Sequence, residues 1–263
     1  MKKRVAVVRP WFLPTSETFI YGELVNLKKT KAIVCAQKRL NKHRFPFSPV
    51  YKFKRYSDLK SIFRKKHVGL IHARFGTTGT KLLAVKKKLK LPMLTSFHGF
   101  DLPSNKKTRR KYGKKMKQLF KQGDLFTVTS KNNRKILIKY GCPKKKIIVH
   151  HSGIDVDKFA FKPRIYPENG KIYILSVGRL VEKKGMKYLI KAFKKVSKKY
   201  PQVHLRIAGD GELRGKLKRL VKRLGLKKRV TFLGELSHDQ VAKEMQKCHL
   251  FVLASVKDRN GNQ

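Results

Sequence analysis

Acidic side chains are scarce in this chain of 263 residues: 15 Asp and Glu stand against 67 Lys and Arg, a formal net charge of +52 at pH 7. Cysteine is sparse too. Cys35, Cys142 and Cys248 lie far apart with no C-x-x-C pair. That excludes a disulfide framework or a zinc ribbon and reads as buried thiols in a reducing compartment. Long apolar runs are missing, and none approaches the ~20 residues needed to cross a bilayer. The N-terminus opens with Lys2, Lys3 and Arg4 as a signal peptide would, but its apolar run is short and is cut by Arg9 and Pro10. It reads as a first β-strand.

What is present is enough for buried cores: 40% of residues are hydrophobic, which excludes a disordered chain, and the length predicts two domains. The charge draws any polyanion, whether nucleic acid, anionic lipid or nucleotide phosphate. Its distribution is broad. Lysines fall on nearly every predicted helix, as in Lys86-Lys87-Lys88 and Lys114-Lys115, while the few acids gather in motif-like stretches around Glu17, Asp101, Asp155, Asp157, Glu182, Asp210 and Glu212. Nucleic-acid binding is expected to be non-specific only, because zinc-finger spacing, basic-zipper heptads and an R-G-F-G-F-type run are all missing.

Strand and helix patterns alternate along the first half. Val5–Arg9, Ala32–Ala36, Gly69–Gly76, Met93–Phe97, Asp124–Thr129 and Ile147–His150 read as strands, with helices over Thr78–Lys88 and Lys106–Gln122. This order predicts a parallel sheet covered on both faces, with function at the carboxyl ends of its strands. His72 and His98 both fall at such ends. Thr15, Ser16 and Thr18 place hydroxyls at a helix start, where Thr15 or Ser16 is suited to cap it. The basic and aromatic stretch Gln37–Tyr56 fits a surface loop tucking its rings onto the domain, and it also fits base stacking or a membrane interface. Lys106–Gln122 fits either a solvated helix or one lying on an anionic surface.

In the second half, the apolar run Tyr173–Val177 suits a buried strand. It is followed by Gly178, then Arg179 and Lys184 five residues apart, then Gly185 and an amphipathic helix over Met186–Tyr200. A strand, a turn carrying two cations and a helix N-terminus make a diphosphate site: the helix end offers N–H groups, Arg179 a fork and Lys184 a point charge. The next strand, Val203–Ala208, ends at Gly209-Asp210-Gly211. This is not a dinucleotide fingerprint, because Arg214 holds the place of the third glycine. Arg229–Leu236 is a strand and turn, Ser237 caps a helix, and His249–Ser255 is a last strand.

The string G-R-L-V-E-K-K-G after a strand resembles the donor-diphosphate motif of the family-4 retaining glycosyltransferases of GT-B fold. The likeness extends along the chain. S-E-T-F-I resembles the first loop and helix of the exopolysaccharide and colanic-acid type, H-G-F-D the family's H-G-x-D element, H-S-G-I-D-V-D-K-F the domain junction, and A-G-D-G-E-L the nucleotide-proximal element. The resemblance implies an α/β GT-B architecture of two Rossmann-like parallel-sheet domains facing a cleft, the second incomplete. The expected division is an N-terminal acceptor-side domain over 1–160, a linker over 161–170, and a nucleotide-sugar-binding domain over 171–263. It implies that His98 is catalytic and faces the donor sugar, that Arg179 and Lys184 hold the diphosphate, that Gly178, Gly209, Gly211 and Leu233 lie near the nucleotide, and that Ser16, Glu17 and Thr18 belong to the acceptor-side cleft loop. Asp155-Val156-Asp157 spells D-x-D, but in this context the aspartates are structural and no metal is expected. The implied reaction moves a sugar with retention from a UDP- or GDP-linked donor, a substrate rather than a cofactor, to a saccharide or lipid-linked acceptor. The implied setting is cytoplasmic, peripheral at an anionic inner membrane face. The family's E-x7-E motif is expected after Ser255, and the sequence stops at Gly261-Asn262-Gln263 before it, so a fragment or truncated member is expected.

Overall fold

The computed structural model describes residues 3–161, 163–165, 167 and 170–258. Contacts divide the chain into two compact units, Met1–Ile154 and Asp155–Gln263. The expected linker over 161–170 falls within the second, and Lys162, Tyr166, Glu168 and Asn169 lie outside the described residues.

In the first unit the chain runs β1 (Lys3–Val8), β2 (Trp11–Phe12), α1 (Thr18–Val25), β3 (Thr30–Ala36), β4 (Lys38–Arg39), β5 (Val50–Lys52) and α2 (Leu59–Lys65). It continues as β6 (Leu70–Arg74), α3 (Gly76–Leu89), β7 (Met93–Phe97), α4 (Lys106–Gln122), β8 (Leu125–Val128), α5 (Lys131–Lys139) and β9 (Ile147–Val149). Seven strands form one sheet in the order β5-β3-β1-β6-β7-β8-β9, and every pairing is parallel. Chain order reverses on either side of β1, and crevices open at the carboxyl ends of strands at such a switch point.

Strands buried on both faces read as continuous apolar runs. Val34, Cys35 and Ala36 of β3 are fully buried, and so are Phe97 of β7 and Phe126 of β8. One face packs Leu82, Leu119 and Phe120 against the sheet. The other packs Phe12, Leu13, Ile20 and Phe75. Each large side chain so buried contributes ~1.5–3 kcal/mol. Polar caps fix the helix starts: the Thr108 N–H donates to Asn105 Oδ1 at 2.9 Å, opening α4, and the Asn133 N–H donates to Ser130 Oγ at 3.1 Å, opening α5.

Two expectations are corrected here. The stretch 37–56 is not simply a loop, because β4 pairs with β2 and β5 forms an edge of the main sheet. Its rings do turn inward, Phe45 and Phe53 being buried. At the start of α1 neither Thr15 nor Ser16 caps the helix. Glu17 occupies the N-cap and makes no side-chain bond to the helix, because its carboxylate is taken by Arg9.

The second unit holds β10 (Ile172–Val177), α6 (Met186–Lys199), β11 (Val203–Ala208), α7 (Arg214–Arg223), β12 (Val230–Gly234), α8 (His238–Lys247) and β13 (Leu250–Phe251). The sheet order is β12-β11-β10-β13, again parallel throughout. The reversal of chain order falls at β10. Leu189, Ile190 and Phe193 of α6 pack with Leu217, Leu220 and Val221 of α7 on one core. Ser237 and Gln240 form a reciprocal capping box at α8. The last strand is shorter than expected, and Leu250, Phe251 and Leu253 are exposed.

Candidate functional site

In the first unit the candidate residues collect around His98, just past the end of β7. Asp101 is fully buried, and its two oxygens accept the His98 N–H at 2.9 Å and the Gly76 N–H at 2.7 Å. The carboxylate therefore ties the His98 loop to the N-terminus of α3. Burial raises its pKa to about 6 despite those bonds and the charge of Arg9.

The His98 ring lies between Phe19, at 4.8 Å between centroids, and Phe75, at 4.9 Å. Burial first, then the charges of Arg74 and Arg9, push its pKa down to about 3. The imidazole is neutral at physiological pH. Its Nε2 is buried and has no protein hydrogen-bond partner.

Two arginines that the motif pattern passes over frame this histidine. Arg9 follows β1 and stacks over Phe75, its guanidinium 4.1 Å from the ring centroid. It also forks onto Glu17, with Nε donating to Oε2 at 3.0 Å. Arg74 ends β6 and donates to Glu23. Burial raises the pKa of Glu17, opposed by the hydrogen bonds and charge of Arg9 and by the charge of Arg74. Both arginines sit at carboxyl ends of adjacent strands at the switch point, and that placement is the signal by which they were findable. Of the other expected loop residues, Ser16 is exposed and Thr18 is half-buried at the first position of α1.

A cavity of about 280 Å³ opens at this end of the sheet, lined by His72, Arg74, Ser96, His98, Thr127 and His150 among others. His72 Nε2 lies 2.7 Å from Ser96 Oγ, which lies 2.7 Å from Thr127 Oγ1. Burial, aided by the charge of Arg74, holds the His72 pKa well below its usual value. Arg74 and Glu23, which also line it, form an ion pair.

In the second unit Gly178, Arg179, Lys184, Gly209 and Gly211 come together at the ends of β10 and β11. Gly209, at φ +129°, brings its backbone so close to Gly178 that a Cβ would lie 2.1 Å from the Gly178 carbonyl oxygen; Gly211, at φ +156°, leaves 2.8 Å to the Leu180 oxygen. Backbone bonds seal the turn: Gly178 N–H to Ala208 O at 2.9 Å and Leu180 N–H to Asp210 O at 2.9 Å. Arg179 is exposed and Lys184 half-buried. Lys184 closes a 3₁₀ turn, Glu182–Lys184, directly ahead of α6. Lys183, overlooked in the motif, joins them: burial and the charges of Arg179 and Lys184 lower its pKa, opposed by Asp258. Lys183 and Lys184 therefore stand directly ahead of a 14-residue helix, and Arg179 is near enough for its charge to be felt at Lys183. Leu233 is half-buried against Leu175, Ala208 and Cys248, and the adjacent Gly234 carbonyl accepts the Gly209 N–H at 2.6 Å.

Asp155 and Asp157 are exposed, and Asp155 Oδ1 accepts the Lys158 N–H at 3.2 Å in a local turn. Among the described residues no group of three or more His, Cys, Asp or Glu side chains is placed to hold a metal ion. Among them, too, no helix is long and apolar enough to cross a membrane.

Two units, each built on a parallel sheet with helices between its strands, have the fold class of GT-B proteins, and solved structures agree. Anabaena Alr3699/HepE in complex with UDP superposes with a TM-score of 0.78 at 18% identity, over 96% of this chain and 74% of that one. Sucrose-phosphate synthase from Thermosynechococcus elongatus does so at 0.74 and 16% identity, over 97% and 76%.

The chain belongs to glycosyltransferase family 4. The family model of that description matches residues 16–158, more than half of its length, and the model for glycosyl transferases group 1 matches residues 157–261. WcaL of Escherichia coli K12, named for colanic acid biosynthesis, is 30% identical over 192 residues, covering 72% of this chain and 47% of that protein. The amylovoran biosynthesis glycosyltransferase AmsK of Erwinia amylovora is 29% identical over 193 residues, covering 73% and 47%. The chain thus spans about half the length of the curated relatives it matches.

Proposed function

We propose that this chain serves a retaining glycosyltransferase that moves a sugar from a UDP- or GDP-linked donor to a saccharide or lipid-linked acceptor, without a metal. The proposed setting is the cytoplasm, peripheral to the inner membrane face. The observation that carries this reading is the grouping of Arg179, Lys183 and Lys184 ahead of α6. When the bond from the sugar to the diphosphate breaks, negative charge develops on the leaving group. Fixed cations and helix N–H groups stabilise it there. In this reading the cations supply the charge that a metal would otherwise bring. The neutral imidazole of His98, with Nε2 unpartnered, is suited to hydrogen-bond a sugar hydroxyl. Alr3699/HepE, solved in complex with UDP, shares this fold.

The net charge of +52 favours a second reading, in which the chain holds polyanions without shape recognition. Titration with UDP, UDP-glucose and GDP-mannose at ~0.5 M salt, where exposed charges are screened, separates the two. Saturable binding that prefers one base, weakened roughly tenfold or more by Lys184→Gln through loss of a charge-assisted bond, is the expected result. Equal binding of every nucleotide, fading with salt and indifferent to Lys184→Gln, overturns the transferase reading. Base-selective binding without turnover leaves a nucleotide-binding remnant.

A further inference from the structure

The chain contains one tryptophan, and it is 60% exposed. Trp11 stands on the short β2–β4 ribbon, where it pairs with Lys38. Lys38 Nζ lies 5.9 Å from its ring centroid. The ribbon is firmly seated. Phe12 and Leu13, the next residues along, are fully buried, Phe12 meets Phe47 edge-on at 6.2 Å, and Asn41 Nδ2 donates to the Leu13 carbonyl at 2.8 Å. A large apolar ring is therefore held outward on a rigid base.

Charge around it has one sign. From Leu24 to Ser57 the chain has no Asp or Glu, while Lys38, Arg39, Lys42 and Arg44 crowd the ribbon and the turn after it. Lys38, Lys42 and His43 are exposed. The carboxylates that flank these stretches in sequence are all engaged: Glu17 by Arg9, Glu23 by Arg74, and Asp58 by the Lys54 and Arg55 N–H groups. An exposed indole beside Lys38, on a ribbon whose other charged residues are also cations, matches the boundary of an anionic bilayer, where tryptophan settles at headgroup depth and lysine and arginine meet lipid phosphates. Because β2 and β4 follow β1 and β3, the ribbon lies at the same carboxyl end of the sheet as His98 and the cavity beside it.

We propose that Trp11 and the basic ribbon 38–44 are the surface by which the first unit docks on an anionic membrane, with the indole entering the headgroup region. This rests on the membrane-peripheral setting proposed above and names the face that makes the contact. It turns the end of the sheet carrying His98 toward the lipid, where a lipid-linked acceptor is held.

The single tryptophan makes the test direct, since intrinsic emission reports on Trp11 alone. The whole chain is mixed with phosphatidylglycerol–phosphatidylcholine vesicles, and with phosphatidylcholine vesicles as the neutral control. The expected result is co-sedimentation with the anionic vesicles only, a blue shift of the emission, and quenching by brominated acyl chains. Lys42→Gln is expected to lower partitioning roughly fivefold, the equivalent of ~1 kcal/mol per cation at the surface. Lys88→Gln, on the last turn of α3 at the far end of the sheet, leaves it unchanged. Co-sedimentation with an unshifted, unquenched Trp11 overturns this inference while leaving the membrane setting intact. No binding to anionic vesicles overturns the membrane setting and the docking face together.

Discussion

Asp101 holds His98 by its backbone rather than by its ring: the carboxylate accepts the His98 N–H at 2.9 Å, and its other oxygen accepts the Gly76 N–H. The imidazole is left free of this bond, so position and protonation are controlled separately. Asp101→Ala strands two backbone donors, the Gly76 one deeply buried. The expected cost is about 3 kcal/mol, at ~1–3 kcal/mol for each buried group left unpaired. Urea unfolding measures the total, and amide hydrogen exchange localises it. Exchange should accelerate at His98 and Gly76 ahead of the rest of the sheet. Unchanged protection at His98 would show that the loop is held by other contacts.

How much of this was legible in the sequence differs by element. The strands around Ala6, Val34, Ile71, Phe97 and Leu175 announced themselves because doubly covered parallel strands are apolar without interruption. Lys106–Gln122 was legible to the residue, since Met116, Leu119 and Phe120 recur at helical spacing on a charged background. Three-residue β5 and seven-residue α2, with only Leu59 and Phe63 buried on it, carry too little pattern to separate from a basic, aromatic loop. The polar frame was hidden for another reason. Arg74 meets Glu23 across 51 residues of sequence, and Glu17 turns from its helix to Arg9. Such pairings belong to the fold, and a capping rule applied to Thr15 and Ser16 cannot foresee them. His98, Arg179 and Lys184 stood out only through motif context, since neither a histidine after a strand nor a cation in so basic a chain is distinctive.

His98 and Asp101 are neighbours with opposite pH behaviour. Burial lowers His98 from an ordinary 6.5 to about 3. The folded state refuses a proton that the unfolded state accepts, so this contribution to stability is full above pH 6.5 and lost as pH falls toward 3. Asp101 is raised from 3.8 to about 6. Its contribution is full below pH 3.8 and lost as pH rises through about 6. Between pH 6 and 4.5 the two slopes oppose each other. Removing one group unmasks the other: relative to wild type, His98→Gln should gain stability on acidification through this window, and Asp101→Asn should lose it. At ~1.4 kcal/mol per tenfold change in proton activity, each divergence amounts to about 2 kcal/mol. Urea midpoints measured against pH for the three proteins check both signs. Parallel profiles would mean that neither group is buried in the protonation state described.

Gly209 is where the second unit tolerates least change. A side chain there needs a φ of +129° and places its Cβ 2.1 Å from the Gly178 carbonyl. The obstacle is backbone, so no rotamer relieves it. The turn after β10 can yield only by moving away from β11, which breaks the Gly178 N–H to Ala208 O bond and displaces Arg179 and Lys184 with it. Gly209→Ala should therefore cost ~1–3 kcal/mol of unfolding free energy from backbone strain, and it should weaken the UDP binding proposed above although neither Arg179 nor Lys184 has changed. Gly215→Ala is the control. Gly215 lies inside α7, where an added Cβ meets only the end of Arg219 at 3.7 Å and alanine is favoured over glycine. It should stabilise the same unit slightly and leave nucleotide affinity untouched. Equal affinity for UDP in the two variants would mean that the packing of Gly209 on Gly178 does not set the position of the cations.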